Sequence, residues 1–216
     1  MITYSQIKAD ERIRTFIKKA DDSLLALGFT EHSFAHVTRT AELAGYILEQ
    51  SGSDARTVEL AKIAGFMHDI GNLVNRVEHS QSGAVMAFRI LDNMGMDAKE
   101  LASVVTAIGN HDEGTGVPVS PLAAALIIAD KSDVRRSRVR CERADFDIHD
   151  RVNYSVTRSE LTVKDGVITL SLDIDVTMSS VTEYFEIFLE RMLLCRKSAE
   201  ALGHTFSLTI NGQKLM

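Results

Sequence analysis

Apolar residues recur at intervals of three and four through the first 140 positions, which predicts a succession of amphipathic helices. Residues that commonly cap helices precede most of these apolar stretches, and glycines close several of them. The predicted helix starts are Ser5 (with an end at Leu27), Thr30, Ser53 or Asp54, Ser80, Asp97 and Pro121. We therefore expect an all-helical domain over residues 1–145.

The pattern changes to short alternating stretches after about residue 145. The stretches 159–163 and 167–172 flank Asp165-Gly166, and the stretches 206–210 and 213–215 flank Asn211-Gly212. Both dipeptides are typical of tight hairpin turns. A helix from Ser179 or Ser180 to about Leu202 is predicted between them. The predicted fold class is mainly α: a helical bundle with a small α+β appendage at residues 146–216.

Composition narrows the functional classes. The chain has 216 residues, of which 45 % are hydrophobic, so one substantial core is expected. Its net charge of −6 argues against general nucleic-acid binding, which favours a basic face. No apolar run approaches the roughly 18 residues of a membrane span, and the first residues lack the features of a signal peptide. With only two cysteines, at unpaired spacing, we expect a cytoplasmic protein without membrane segments.

The candidate chemistry lies in histidines and carboxylates of the helical region. Imidazole and carboxylate are the ligands expected of a hydrolytic or oxygen-using transition-metal centre. The candidate ligands are His32, His36, His68, Asp69, His79, His111 and Asp130. His149 and His204 stand apart in the appendage and are interpreted as ordinary histidines.

Residue types alone leave alternatives open. His32 and His36 are four apart, so on a helix they would share a face. His68 and Asp69 end an apolar stretch, where they could bind a metal or could simply cap a turn and bond a carbonyl. Asp130 follows eight apolar residues and needs a cation, which could be a metal ion or a neighbouring base.

The order of these residues carries a resemblance to a known family. His36, then His68-Asp69, then Asp130, on successive predicted helices, resembles the HD-domain metal-dependent phosphohydrolases over roughly residues 30–140. The resemblance implies an HD-domain helical bundle in which these four residues bind one divalent metal.

Two further segments resemble those of HD members that hold two metals, including the HD-GYP cyclic-dinucleotide phosphodiesterases. They contain His79 and His111, which by this resemblance would hold a second ion, with Asp69 bridging the two. The chain departs from HD-GYP proteins at three places. Asp112 replaces the second of two adjacent histidines, Asn72 replaces a lysine, and His32 replaces a glutamate. A cyclic-dinucleotide substrate is therefore not assigned, and His32 is kept as a candidate additional ligand.

Cations suited to phosphate follow Asp130. Lys131 and Arg135 are four apart and would share a helix face beginning beside the metal, and further arginines follow them. The same charges would also suit a solvated helix end. The catalytic candidates are thus Asp69, Asn72, Lys131 and Arg135.

These features predict a phosphohydrolase that uses a metal-activated water at a mononuclear or dinuclear site. Its substrate would be a phosphomonoester or phosphodiester, with nucleotides among the candidates. One or two divalent ions are expected, with Fe or Mn favoured and Zn, Ni and Mg open. The alternatives are an HD-fold diiron oxygenase and a non-catalytic metal-binding sensor or assembly module. The appendage could mediate a homodimer or close over the site.

Overall fold

Helices form most of the protein in a computed structural model that describes residues 1–216. The helices are α1 (Tyr4–Ala9), α2 (Glu11–Ala26), α3 (Phe34–Gln50), α4 (Ala55–Met67), α5 (His79–Asn93), α6 (Ala98–Gly109), α7 (Pro121–Lys131), α8 (Ile148–Ser155) and α9 (Val181–Ala201). The strands are β1 (Val156–Lys164), β2 (Val167–Ile174), β3 (Thr205–Ile210) and β4 (Gln213–Lys214). The predicted fold class, mainly α with a C-terminal α+β part, is confirmed. None of the helices combines the length and apolarity that crossing a membrane requires.

The predicted single helix from Ser5 to Leu27 is wrong, because Asp10 divides it. The Asp10 backbone is extended, and its side chain accepts hydrogen bonds from the amides of Arg12 and Ile13. Asp10 therefore caps a new helix, as a short polar side chain at a helix start commonly does. Helices α1 and α2 result.

The start of α3 also differs from the prediction, and the difference concerns a candidate ligand. Ser33, not Thr30, caps α3, so His32 lies in the preceding loop. The backbone amide of His32 donates to Asp21 Oδ1 at 2.9 Å, which holds the loop against α2. The prediction that His32 and His36 share a helix face is therefore wrong.

Helices α3, α4 and α7 form the centre of the bundle. Gly65 of α4 allows a close approach to α3, because a Cβ at Gly65 would lie only 2.6 Å from Ala41 Cα. Such close packing of two helices requires a residue without a side chain. It brings the first turn of α3 beside the last turn of α4, where His36 and His68 lie.

The C-terminal part forms a four-stranded sheet in the order β1-β2-β3-β4. Both predicted hairpins are confirmed, and all four turn residues have the positive φ that such turns require, from 50° to 78°. The predicted helix between the hairpins is α9, which begins with a capping box at Ser180 and joins the parallel strands β2 and β3.

Helix α9 connects this sheet to the bundle, since it packs against both α7 and β3. One contiguous apolar cluster runs from Ile2 to Ile210 and includes residues of the bundle and the sheet. The division of the chain at residues 145 and 146 stays a prediction. Helix α8, which the sequence patterns did not predict, lies immediately after that division.

Candidate metal centre

Four side chains converge where α3, α4 and α7 meet. His36 lies in the first turn of α3, His68 caps the end of α4, Asp69 follows it, and Asp130 lies near the end of α7. Asp130 Oδ1 is 3.2 Å from His36 Nε2 and 3.5 Å from His68 Nε2. The two Nε2 atoms are 3.3 Å apart. The structure thus brings together all four residues that the HD resemblance implied for the first metal.

A second pair of histidines lies on the other side of Asp69. His79 is the first residue of α5, and His111 follows α6. Their Nε2 atoms are 3.2 Å apart. Asp69 Oδ1 is 3.4 Å from His79 Nε2 and 4.0 Å from His111 Nε2.

Asp69 therefore presents one oxygen to each histidine pair. Its Oδ2 atom is 3.4 Å from His36 Nε2 and 3.2 Å from His68 Nε2, and this buried oxygen has no hydrogen-bond partner. Asn72 orients the carboxylate, because its Nδ2 donates to Asp69 Oδ1 at 3.0 Å and to the Asp69 carbonyl at 2.9 Å. A buried carboxylate oxygen without a partner is costly unless a cation satisfies it.

The tautomer of each clustered histidine is fixed from outside the cluster. The Nδ1 atoms of His68, His79 and His111 lie 2.7, 3.1 and 2.6 Å from backbone carbonyl oxygens, and Nδ1 of His36 lies 2.8 Å from Asp133 Oδ2. Because those oxygens only accept, Nδ1 is the donor in each case. In the neutral ring, Nε2 then carries a lone pair, so four lone pairs face inwards. This is the form in which histidine binds metals.

The charge balance of the cluster also calls for cations. Burial lowers the pKa of His36, but the carboxylates of Asp130, Asp133 and Asp69 outweigh it and raise that pKa to about 9. Asp69 and Asp130 similarly outweigh burial at His68 and raise its pKa to about 10. The carboxylates thus attract positive charge to the Nε2 atoms, whether protons or metal ions supply it.

The donor set fits a divalent transition metal. Two sets of three side chains each bring their ligand atoms within 4.8 Å of one another. One set is His36, His68 and Asp130, and the other is His68, Asp69 and His111. Imidazole nitrogens and carboxylate oxygens are the ligands that Fe, Mn and Zn take in proteins.

Comparison with known proteins identifies the arrangement. The family model of the HD domain matches residues 33–135, which contain all of the clustered ligands. The chain carries an HD domain. HD domains bind divalent metals, and the cluster of histidines and aspartates in this one could hold such an ion.

Relatives and a solved structure share parts of this chain. It is 25 % identical over 210 residues to the uncharacterized protein MJ1020 of Methanocaldococcus jannaschii, covering 85 % of this chain and 79 % of that protein. It is 32 % identical over 162 residues to ribonuclease Y of Enterococcus faecalis, covering 66 % of this chain but only 29 % of that enzyme. A crystal structure of a predicted HD superfamily hydrolase from an uncultured Thermotogales bacterium aligns with this chain at a TM-score of 0.46 and 28 % sequence identity. The alignment covers 57 % of this chain and 67 % of that chain.

The HD domain opens into a cavity of about 550 Å³. Asp69, His79 and Asp130 form part of its wall, so the candidate metal ligands are accessible from it. The loop at residues 27–30 lines one part of the wall, and side chains from the C-terminal part line another. The lining residues of the C-terminal part are Asp147, His149, Asp150, Asn153, Phe188 and Arg191. The appendage therefore contributes to the site.

His149 is among the residues that sequence reasoning missed. Its isolation in the chain suggested an ordinary histidine, yet it lines the cavity, with its ring centroid 6.5 Å from that of Phe188. No local pattern indicates this position, because α8 reaches the cavity only through tertiary packing. His204, by contrast, lies 2.9 Å from Ser51 Oγ and is absent from the cavity wall.

His32 lies beside the centre. Its ring centroid is 5.4 Å from that of His36, and its Nδ1 donates to the Thr30 carbonyl at 2.7 Å. It is not part of either group of ligand atoms, although it lines the cavity. Burial, with Arg138 nearby, lowers its pKa well below the ordinary value, so a neutral imidazole faces the cavity.

The two predicted phosphate-binding cations have different surroundings. Lys131 is buried, lines the cavity and lies 2.7 Å from Asp130 Oδ2. Arg135 is not in the cavity wall, because its guanidinium pairs with Asp133 at 2.9 Å and with Glu31 at 2.8 Å. The prediction that the two share a helix face is wrong, since α7 ends at Lys131 and Arg135 has an extended backbone.

Proposed function

We propose that this HD domain is a metal-dependent phosphohydrolase acting on a small phosphorylated molecule, either a monoester or a diester. The position of Asp69 carries the proposal, because its two oxygens face separate histidine pairs. A carboxylate that can bridge two cations is the feature that two-metal hydrolytic sites need.

The ligands divide into two sets around Asp69. His36, His68 and Asp130 would hold one ion, and His79 and His111 would hold the other. Divalent ions in such a site polarise phosphate oxygens and lower the pKa of water, which supplies a nucleophile at neutral pH. Fe or Mn suits the mixture of imidazole and carboxylate.

Other side chains of the chain support this centre. Asn72 holds Asp69 in the orientation that serves both histidine pairs. Burial lowers the pKa of Lys131, but Asp130 and Glu113 outweigh it and raise that pKa, so the amine stays protonated. We assign Lys131 the role of keeping positive charge beside the centre, where it attracts a phosphate group.

The cavity favours a small substrate. Its volume of about 550 Å³ lies in the range of pockets that enclose small ligands. The ribonuclease Y relatives are ribonucleases by name, but this chain spans less than a third of their length. RNA is therefore the comparison substrate in the test.

The test begins with protein purified without added metal. Elemental analysis should find Fe or Mn bound by the wild-type chain. Protein loaded with Mn or Fe should release phosphate from members of a panel of small phosphomonoesters, or should cleave the diester bis-p-nitrophenyl phosphate. It should leave a single-stranded RNA intact. Absence of turnover on every phosphoester with every metal would refute the proposal.

Oxygen consumption, measured with an oxygen electrode, distinguishes the phosphohydrolase from the oxygenase alternative. The phosphohydrolase should consume no oxygen during turnover in air. Oxygen uptake by the iron-loaded protein, without phosphate release, would establish the diiron oxygenase instead. Metal content without turnover of either kind would favour the sensor or assembly module.

A further inference from the structure

The guanidinium of Arg76 lies at the edge of the candidate metal centre. One of its terminal nitrogens, Nη1, is 3.5 Å from His79 Nε2 and 3.4 Å from Asn72 Oδ1. Its Cζ atom lies 5.6 Å from the centroid of the Phe29 ring. Arg76 thus lines the cavity between a ligand histidine and an aromatic side chain.

Arg76 differs from the other cations of the cavity wall in its partners. Lys131 pairs with Asp130 at 2.7 Å, Arg191 pairs with Glu113 at 2.7 Å, and Arg138 lies 4.0 Å from Asp133. Arg76 has no carboxylate within 4.0 Å, and its two polar contacts, with an amide oxygen and an imidazole nitrogen, are long. It is therefore the one cavity cation whose charge is not already balanced by a side chain.

We propose that Arg76 is the substrate-binding arginine of this cavity and that it contacts non-bridging oxygens of the phosphate group. The inference rests on the proposed phosphohydrolase function and assigns a residue that the sequence patterns did not indicate. A planar guanidinium binds phosphate through two parallel hydrogen bonds. Arg76 can exchange its weak contacts for such bonds without breaking an ion pair.

The position of Arg76 suits this role. Its Nη1 atom lies 3.5 Å from His79 Nε2, which is itself 3.4 Å from Asp69 Oδ1. A phosphate group beside these ligands is therefore within reach of the guanidinium. The Phe29 ring lies close enough to interact favourably with the cation and to limit its orientations.

The experiment measures binding of inorganic phosphate to the metal-loaded full chain by isothermal titration calorimetry. The Arg76→Met variant keeps an aliphatic side chain against Phe29 but removes the charge and the donors. We expect its dissociation constant for phosphate to rise about 10- to 100-fold, as loss of charge-assisted hydrogen bonds does. The Arg76→Lys variant keeps the charge but not the paired donors, so its dissociation constant for phosphate should lie between those of the wild type and Arg76→Met.

Two controls accompany these variants. Arg89→Met removes an exposed arginine of α5 and should bind phosphate like the wild type. Elemental analysis should show unchanged metal content in every variant. A phosphate affinity of Arg76→Met within twofold of the wild-type value would overturn the inference. Loss of metal from Arg76→Met would also overturn it, because Arg76 would then support the metal centre.

Hydrolysis measurements on the same samples separate this inference from the proposed function. Arg76→Met should raise KM for a turned-over phosphoester more than it lowers kcat. If the wild type binds phosphate through Arg76 but hydrolyses no phosphoester, the proposed function fails and the anion site stands. If the wild type hydrolyses phosphoesters and Arg76→Met keeps its KM, the Arg76 assignment alone fails.

Discussion

Asp133 Oδ2 accepts a hydrogen bond from His36 Nδ1 at 2.8 Å, across 97 positions of the chain. The other three clustered histidines donate from Nδ1 to backbone carbonyls, so His36 is the one oriented by a charged group. Asp133 is fully buried and also pairs with Arg39 at 3.1 Å and with Arg135 at 2.9 Å. A carboxylate behind a ligand histidine fixes its ring and makes it a stronger donor to a metal.

Replacing Asp133 should therefore weaken metal binding without removing a ligand. The Asp133→Asn variant keeps an oxygen that can accept from His36 but loses the negative charge. We expect metal affinity to fall about 10- to 100-fold, the usual effect of changing such a partner. Competition with a chelator measures the affinity, and Asp92→Asn, at an exposed position of α5, is the matched control. Equal affinities in the two variants would show that Asp133 serves only its arginine partners.

Replacing Asp69 should affect both halves of the centre. The Asp69→Ala variant removes the two oxygens that face the His36–His68 pair and the His79–His111 pair. We expect loss of all bound metal and of all hydrolysis. Elemental analysis checks the metal, with circular dichroism to establish that the variant is folded. Wild-type metal content in folded Asp69→Ala would contradict the bridging assignment.

Gly71 is expected to tolerate no side chain. A Cβ at this position would collide with the His79 carbonyl and lie 2.5 Å from the Gly83 amide, both of which belong to α5. The Gly71→Ala variant should displace α5 from the metal centre and lower the free energy of unfolding by about 1–3 kcal/mol. Gly114→Ala is the control, since a Cβ there meets nothing within 4 Å. Urea denaturation gives the free energies, and equal stability of the two variants would contradict the predicted clash.

Glu183 should stabilise the start of α9 in a pH-dependent manner. Hydrogen bonds from Arg151, from the Ser180 amide and from Ser179 lower the pKa of Glu183 from 4.5 to about 2. Because the pKa is lower in the folded state, the ionised side chain stabilises the fold above about pH 4.5, and this contribution is lost as the pH falls through about 2.

Stability measurements against pH check this expectation. Glu183→Ala should have a lower free energy of unfolding than the wild type at neutral pH, and the difference should shrink between pH 4.5 and pH 2. Glu190→Ala, at an exposed position of the same helix, is the matched control variant. A difference for Glu183→Ala that stays constant down to pH 2 would mean that its charge is not involved.

The sequence by itself determined the helical order and the ligand types. Caps such as Asp54 and Asp97, and the turn residues of both hairpins, act locally, so they could be predicted from short stretches. His68 and Asp69 end an apolar helix, and Asp130 lies near the end of another. Buried polar groups at such positions need partners, and this requirement can be recognised from the sequence alone. The HD resemblance rested on those positions.

Tertiary structure alone decided which cations belong to the site and which residues line its cavity. Arg135 looked suited to phosphate, but Glu31 lies 104 positions away in the chain and pairs with it. No sequence pattern indicated Arg76 or His149 as site residues. Arg76 lines the cavity just before α5, and His149 lines it from α8. Charge pairing and cavity shape depend on contacts between distant segments. Local propensity fixes the ends of a helix, whereas only packing determines which side chains those ends meet.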